Sequence, residues 1–322
     1  MIVMFFLRSF RATVAALGAI ALLATAGCSS SASQDGSDAD PTTNIVVGAY
    51  PFEYIASQVA GDHATVTNLL APGADSHDLE LSPRQIGQVS AADLVIYQSG
   101  LQAPMDQAIE QQTPTHVLDT ATFLKLRPAT AAADDQDSHQ IDPDRYDPGA
   151  YDPHVWLDPT NMVEIANQTA AVLSQIQPEN ADDFAANAAQ LNSRLADLDS
   201  QFTSGLSNCA RTTFITNHAA FGYLASRYGL EQVGISGLSP DEEPSPARIA
   251  QVQQIAKDNG VTTIFYETAV SPKVAQTIAS DLGLSTDVLD PIETLSPESR
   301  GNDYLEVMSS NLDSLQKANG CE

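Results

Sequence analysis

Residues 44–98 read NIVVGAYPFEYIASQVAGDHATVTNLLAPGADSHDLELSPRQIGQVSAADLVIYQ, and this stretch decides the fold. Three runs rich in β-branched and aliphatic residues, Asn44–Ala49, Thr65–Leu70 and Asp93–Gln98, alternate with segments that can form helices at Glu53–Val59 and Pro83–Val89. His116–Leu118 adds a fourth run. Strands that alternate with helices predict a parallel sheet covered on both faces.

The same rhythm returns later. Thr212–Thr216, Gln232–Ile235, Val261–Tyr266 and Thr286–Leu289 read as strands, and Ala219–Arg227, Ala247–Asn259 and Pro272–Leu282 as helices. Between the halves, Asn161–Ile176 reads as a helix and Pro178 opens a longer one. There Phe184, Ala188, Leu191, Leu195, Leu198 and Phe202 recur at steps of four and three, marking one apolar face of a rod that ends near Gly205. The expected fold class is α/β, with two parallel-sheet domains joined by a long rigid helix and a metal site in the cleft between them. The expected boundaries are residues 44–177, 178–208 and 209–322.

The flanking composition is different. Residues 1–27 carry Arg8 and Arg11 ahead of an apolar stretch of small and aliphatic residues, the layout of a secretion signal. Cys28 follows Thr25-Ala26-Gly27, a sequence that resembles a bacterial lipobox and makes Cys28 the expected lipid attachment point. Residues 28–43 are Ser/Asp-rich and read as a flexible tether. Residues 129–153 are acidic, proline-bearing and too polar to bury a core, which predicts a mobile loop; its His139 and surrounding aspartates are a weak candidate for gathering cations.

With 41 acidic residues against 14 basic ones, the net charge is −27. A phosphate backbone would be repelled, which excludes nucleic acid as a partner, whereas cations are drawn toward such a surface. Beyond Cys28 only Cys209 and Cys321 remain. In an exported chain they are expected to form a disulfide, and they lack the close spacing of a cysteine metal site.

The chemistry rests on three histidines set in short loops beside apolar runs: His77 in GADSHDLELSP, His154 in YDPHVWLDP and His218 in FITNHAAFGYLA. Asp290 in VLDPIE follows the same rule. Three imidazoles and a carboxylate suit a tetrahedral Zn²⁺ shell, and four protein donors leave no open position for a water nucleophile. Glu267 is expected to support a ligand, and Trp156 and Phe221 to wall the ion off from water. His63 and His116 sit outside such loops and read as ordinary hydrogen-bonding residues.

The segments APGADSHDLELSP, DPHVWLDP, RTTFITNHAAFGYLA and VLDPIE, in that order around a long central helix, resemble the metal-specific substrate-binding proteins of ABC transporters. The resemblance covers essentially the whole chain after its first residues. It implies His77, His154 and His218 as main ligands and Asp290 as the C-terminal carboxylate, with Zn²⁺ as transported cargo. Histidine rather than glutamate at the third position resembles zinc-type rather than manganese-type members. The chain departs from the family's common pattern at Ser76, at Leu79-Glu80-Leu81, at Thr268 and in lacking a histidine-rich loop. What the resemblance implies is a lipid-anchored, extracytoplasmic monomer that delivers zinc to a membrane permease. The energy comes from a separate ATPase, since the chain has no GxxxxGK[ST] loop. The alternatives are a manganese carrier of the same family, a secreted zinc hydrolase, and an adhesin with a structural metal. Neither HExxH nor GxSxG is present to support the hydrolase.

Overall fold

The computed structural model describes residues 43–129 and 150–322. In the first half, β1 (Thr43–Val47), β2 (Ala64–Asn68), β3 (Leu94–Tyr97) and β4 (Val117–Asp119) form a parallel sheet in the order β2-β1-β3-β4. The second half repeats it: β5 (Thr213–Thr216), β6 (Glu231–Gly234), β7 (Thr263–Tyr266) and β8 (Ser285–Val288) pair in parallel as β6-β5-β7-β8. In each sheet the chain leaves the first strand to one side and returns to its other side. That reversal opens a crevice at the carboxyl ends of the strands, where open α/β sheets bind their ligands.

Local sequence explains the helices of the first sheet, α1 (Tyr50–Ala60), α2 (Pro83–Ala91) and α3 (Ala103–Gln112), and those that follow, α4 (Pro159–Ile176) and α5 (Ala181–Gly205). The second sheet carries α6 (Gly222–Tyr228), α7 (Pro246–Asp258), α8 (Lys273–Leu282) and α9 (Tyr304–Asn319). Ser82, Asp158 and Ser245 each cap a helix that opens on proline, and Asp303 caps α9 by accepting from the Glu306 amide. A capping side chain takes a backbone donor that the helix leaves unpaired, and proline has no donor there to waste.

Two helices lie where sequence patterning assigned none. On α3 only Met105 and Ala108 are buried, too few to make a stripe. On α9 the buried face includes Asn311, Ser314 and Asn319, which interrupt the apolar period. Tertiary partners supply what the pattern lacks: Asn311 donates to the Asp290 carbonyl and accepts from the Asp290 amide.

One apolar cluster runs across both halves. It joins Ile45, Ile96 and Phe52 of the first sheet and its helix to Trp156, to the α5 stripe, and on to Phe214, Phe265, Tyr304 and Val307. The six stripe residues of α5 are all buried. Trp156, fully buried, sits edge-on to Phe52 at 5.9 Å, and its carbonyl accepts from the Tyr304 hydroxyl at 2.6 Å. Cys209 and Cys321 are joined by a disulfide that pins the end of α9 to the strand entering β5. Pro128 and Tyr151 form an antiparallel bridge.

Because Leu195 lies mid-stripe with no exposed surface, Leu195→Ala is expected to lower unfolding free energy by about 2–5 kcal/mol in urea titration, with the slope unchanged.

Candidate metal centre

Every functional side chain comes from a loop at the carboxyl edge of a strand. His77 lies in the segment after β2, His154 after the chain has left β4, His218 two residues beyond β5, and Glu293 five residues beyond β8. Each half therefore contributes two.

Aspartates shape these loops. The Asp75 carboxylate accepts from the His77 amide at 2.8 Å, and the Asp152 carboxylate from the His154 amide at 3.0 Å. An Asx turn of this kind lets a side chain stand in for a backbone turn, so the ligand that follows is held without a helix or strand. Asp152 also meets His154 Nδ1 at 2.8 Å, and Glu267 meets His218 Nδ1 at 2.7 Å. A carboxylate on Nδ1 fixes the ring so that Nε2 is the free donor atom.

Those Nε2 atoms converge. His77 and His154 approach to 3.3 Å through Nε2, and Glu293 Oε1 lies 3.6, 3.3 and 3.5 Å from Nε2 of His77, His154 and His218. Zinc bonds of about 2.0–2.1 Å at tetrahedral angles put neighbouring donors about 3.4 Å apart. The His77–His154 spacing and the three from Glu293 match that figure, and all four atoms lie within 4.8 Å of one another. His154 and His218 have side chains 0% and 1% exposed, His77 11%, and both His218 Nε2 and Glu293 Oε1 are buried without a hydrogen-bond partner among the described residues. Two orphaned polar atoms aimed at one point are costly unless a cation sits between them.

The electrostatics point the same way. Burial alone would lower the His218 imidazole, but the carboxylates of Glu267 and Glu293 outweigh it and push it up to about 10. His154 is likewise raised despite burial, by Asp152 and Glu293. Glu293 is held well below the usual carboxylate range: burial opposes this, and the surrounding imidazoles win. These shifts favour a positive charge on His154 and His218 beside the glutamate.

Asp290 is the correction. It is not among the converging donors, and Glu293 takes that place. One Asp290 oxygen accepts from the Ile292 amide at 2.8 Å, and the other from Thr268 and Ser299 hydroxyls at 3.2 and 3.0 Å. Both of its oxygens are engaged in holding the loop, and it lies outside the converging group. Ile292 has φ of 61°, a left-handed conformation that costs a β-branched residue about 1–2 kcal/mol. Asp290 holds that turn, and the turn aims Glu293 inward. The sequence carried the signal: Asp75-Ser76-His77 and Asp152-Pro153-His154 both place a turn aspartate two residues before the held amide, and Asp290-Pro291-Ile292 repeats the pattern.

The remaining candidates fall as follows. Glu267 holds His218, and through the same oxygen it accepts from the Asn217 side chain. Trp156 packs 5.4 Å from the His154 ring and donates to the Pro291 carbonyl at 2.7 Å, so it walls the site and braces the Glu293 turn together. Phe221 packs edge-on to Phe214 within the core. His63 pairs with Asp183 at 3.0 Å. His139 and Cys28 lie outside the described residues.

A two-sheet α/β scaffold with a closed site of three histidines and one glutamate defines a metal-binding protein of the substrate-binding type. The sequence pattern of the family described as ZnuA, zinc-uptake complex component A, periplasmic, matches residues 45–318, and the chain belongs to that family. It is 34% identical over 289 residues to the zinc-binding lipoprotein AdcA of Streptococcus pneumoniae, covering 87% of this chain and 56% of AdcA. The chain thus spans about half the length of that relative. It is 34% identical over 302 residues to the high-affinity zinc uptake system protein ZnuA of Bacillus subtilis, covering 92% and 94%. Among solved structures, the Zn(II)-bound ZnuA-like domain of S. pneumoniae AdcA aligns with TM-score 0.72 at 33% identity over 86% of this chain and 99% of that one. The laminin-binding protein Lmb of Streptococcus agalactiae, described as an adhesin with metal-transporting activity, aligns with TM-score 0.74 at 30% identity over 86% and 99%.

Removing the Asp290 carboxylate loosens the turn without deleting a donor, whereas removing Glu293 deletes one. Asp290→Ala is expected to weaken Zn²⁺ binding by about 10–100-fold in competition with a chromophoric chelator, and Glu293→Ala by more. Equal losses would return Asp290 to the donor set.

Proposed function

We propose that this chain is an extracytoplasmic Zn²⁺-binding protein that holds its cargo between His77, His154, His218 and Glu293 and surrenders it to an ABC permease for uptake. The convergence of four donor atoms within 4.8 Å of one another, four of their spacings near the tetrahedral value, carries this reading. Three imidazoles favour zinc over manganese, which asks for more oxygen and a larger shell. Four protein donors fill the tetrahedron, which favours binding over hydrolysis, because a catalytic zinc keeps a position open for water.

In this reading the two halves, residues 44–177 and 209–322, act as lobes about the 178–208 linker, and a monomer suffices because one chain supplies the whole site. Cys28 carries the lipid that holds the protein at the membrane. The names of the AdcA relatives as lipoproteins support that anchor. Release falls to the permease, powered by a separate ATPase. His77 is the ligand best placed to leave first, being the most exposed and carried on an irregular segment.

Calorimetric titration of metal-free protein tests the proposal. A one-to-one Zn²⁺ isotherm, tighter than that for Mn²⁺ and weakened more than about 100-fold by His218→Ala, is expected. An isotherm unchanged by that substitution would remove His218 from the site and sink the reading.

The pH dependence has a definite sign. His154 and His218 bind protons more tightly in the folded metal-free protein than in the unfolded chain, so zinc must displace those protons. Affinity should therefore rise with pH up to about 10, with net proton release seen as a buffer-dependent heat. For the metal-free fold the sign reverses. The His218 contribution is fully present below its ordinary value of 6.5 and fades as pH climbs through about 10.

A further inference from the structure

We propose that Ser76 sets the coordination number of the bound cation, and with it the choice among divalent metals, by occupying one oxygen of the Glu293 carboxylate. The inference rests on the metal-site reading above and extends it to a residue that donates nothing to the ion.

A carboxylate can offer a cation one oxygen or two. Here the two oxygens of Glu293 have different surroundings. Oε2 accepts from the Ser76 hydroxyl at 2.5 Å, while Oε1 faces the three imidazoles with no hydrogen bond of its own. A hydrogen bond to a charged acceptor is among the stronger kinds, and this one is buried, with Ser76 fully inaccessible to solvent. For both oxygens to reach one ion, the carboxylate would have to turn, which would lengthen or bend that bond and leave Oε2 sharing its charge between the hydroxyl and the ion.

The hydroxyl is also held in place. The Ser76 carbonyl accepts from the Gln102 amide at 3.0 Å, and the same amide nitrogen reaches the Gly48 carbonyl at 2.8 Å. A Cβ on Gly48 would stand 2.2 Å from Gln102 Oε1, so the glycine makes room for the amide that fixes Ser76. On the other side, Asp75 holds the amide of His77. The backbone of Glu293 is pinned as well, its carbonyl accepting from the Tyr50 amide at 3.0 Å. Serine and glutamate therefore meet with little freedom on either side.

The consequence is chemical. With one oxygen engaged, Glu293 is a single donor and the shell closes at four, the number zinc prefers. Larger, harder cations such as Mn²⁺ seek more oxygen, and a two-oxygen carboxylate is the cheapest fifth donor in this site. Ser76 withholds it.

The test uses Co²⁺ as a spectroscopic substitute, because four-coordinate Co²⁺ absorbs visible light much more strongly than five-coordinate Co²⁺. The full chain with Co²⁺ is expected to show the intense four-coordinate bands. Ser76→Ala should bind Co²⁺ with weaker, five-coordinate bands and raise the ratio of Mn²⁺ to Zn²⁺ affinity about 10-fold or more. Ser76→Gly, which also lacks the hydroxyl, should behave alike and serves if the alanine variant does not fold, as judged by circular dichroism. An unchanged Co²⁺ spectrum together with an unchanged Mn²⁺ to Zn²⁺ ratio in the folded variant would overturn the role of Ser76. If the wild-type chain itself gives no four-coordinate spectrum, or Glu293→Ala leaves that spectrum intact, the donor set is wrong, a failure distinct from that of Ser76 alone.

Discussion

The carboxylate of Glu293 is the constraint on which the site depends. A buried charge without a partner costs several kcal/mol, and this one is 5% exposed with one oxygen lacking any hydrogen bond among the described residues. Three imidazoles surround that oxygen, and either protons on those rings or a divalent cation between them can balance it. The protein is folded around a place where positive charge has to be. On the proposed reading a cation entering there displaces protons, so that metal capture and proton release are a single event.

Such a place survives only if its surroundings cannot relax, and the core explains why they do not. The apolar cluster that includes the α5 stripe and Trp156 runs through both halves, so wide separation of the halves would expose surface that now lies against Phe52, Tyr304 and their neighbours. The Glu293 turn is tied across the same seam: the Pro291 carbonyl to Trp156, the Glu293 carbonyl to the Tyr50 amide, and Thr294 Oγ1 to the Gly73 amide. These bonds offset the left-handed strain at Ile292. A rigid body can keep a strained turn that a flexible one would lose.

Much of this was legible in the residues. Periodicity located both sheets and the long helix because each buries a regular face, and the α5 stripe is buried at all six expected positions. Histidines stood out because they sat in loops at strand ends. The structure places Glu293 rather than Asp290 in the converging group; the two are three residues apart in the same loop, and the mark of Asp290 in the sequence is the turn spacing it shares with Asp75 and Asp152. What separates them is a backbone hydrogen bond from Ile292 to Asp290, a feature of the turn rather than of any single residue. Helices α3 and α9 leave no clear period in the chain: α3 buries only Met105 and Ala108, and the face of α9 is held in part by the bonds of Asn311 to Asp290.

The distribution of carboxylates extends this logic. Asp152 and Glu267 sit on the far nitrogens of His154 and His218, close enough to raise both rings yet shut off from the ion by the rings themselves. Had either stood at the centre, a second charged oxygen would have favoured a harder cation. Placed behind the imidazoles, they increase ring basicity while leaving the inner shell rich in nitrogen. The chain therefore applies negative charge in two ways. Its net negative charge favours cations without distinguishing them, and on the proposed reading a single unbonded, buried oxygen among three nitrogens makes the selection.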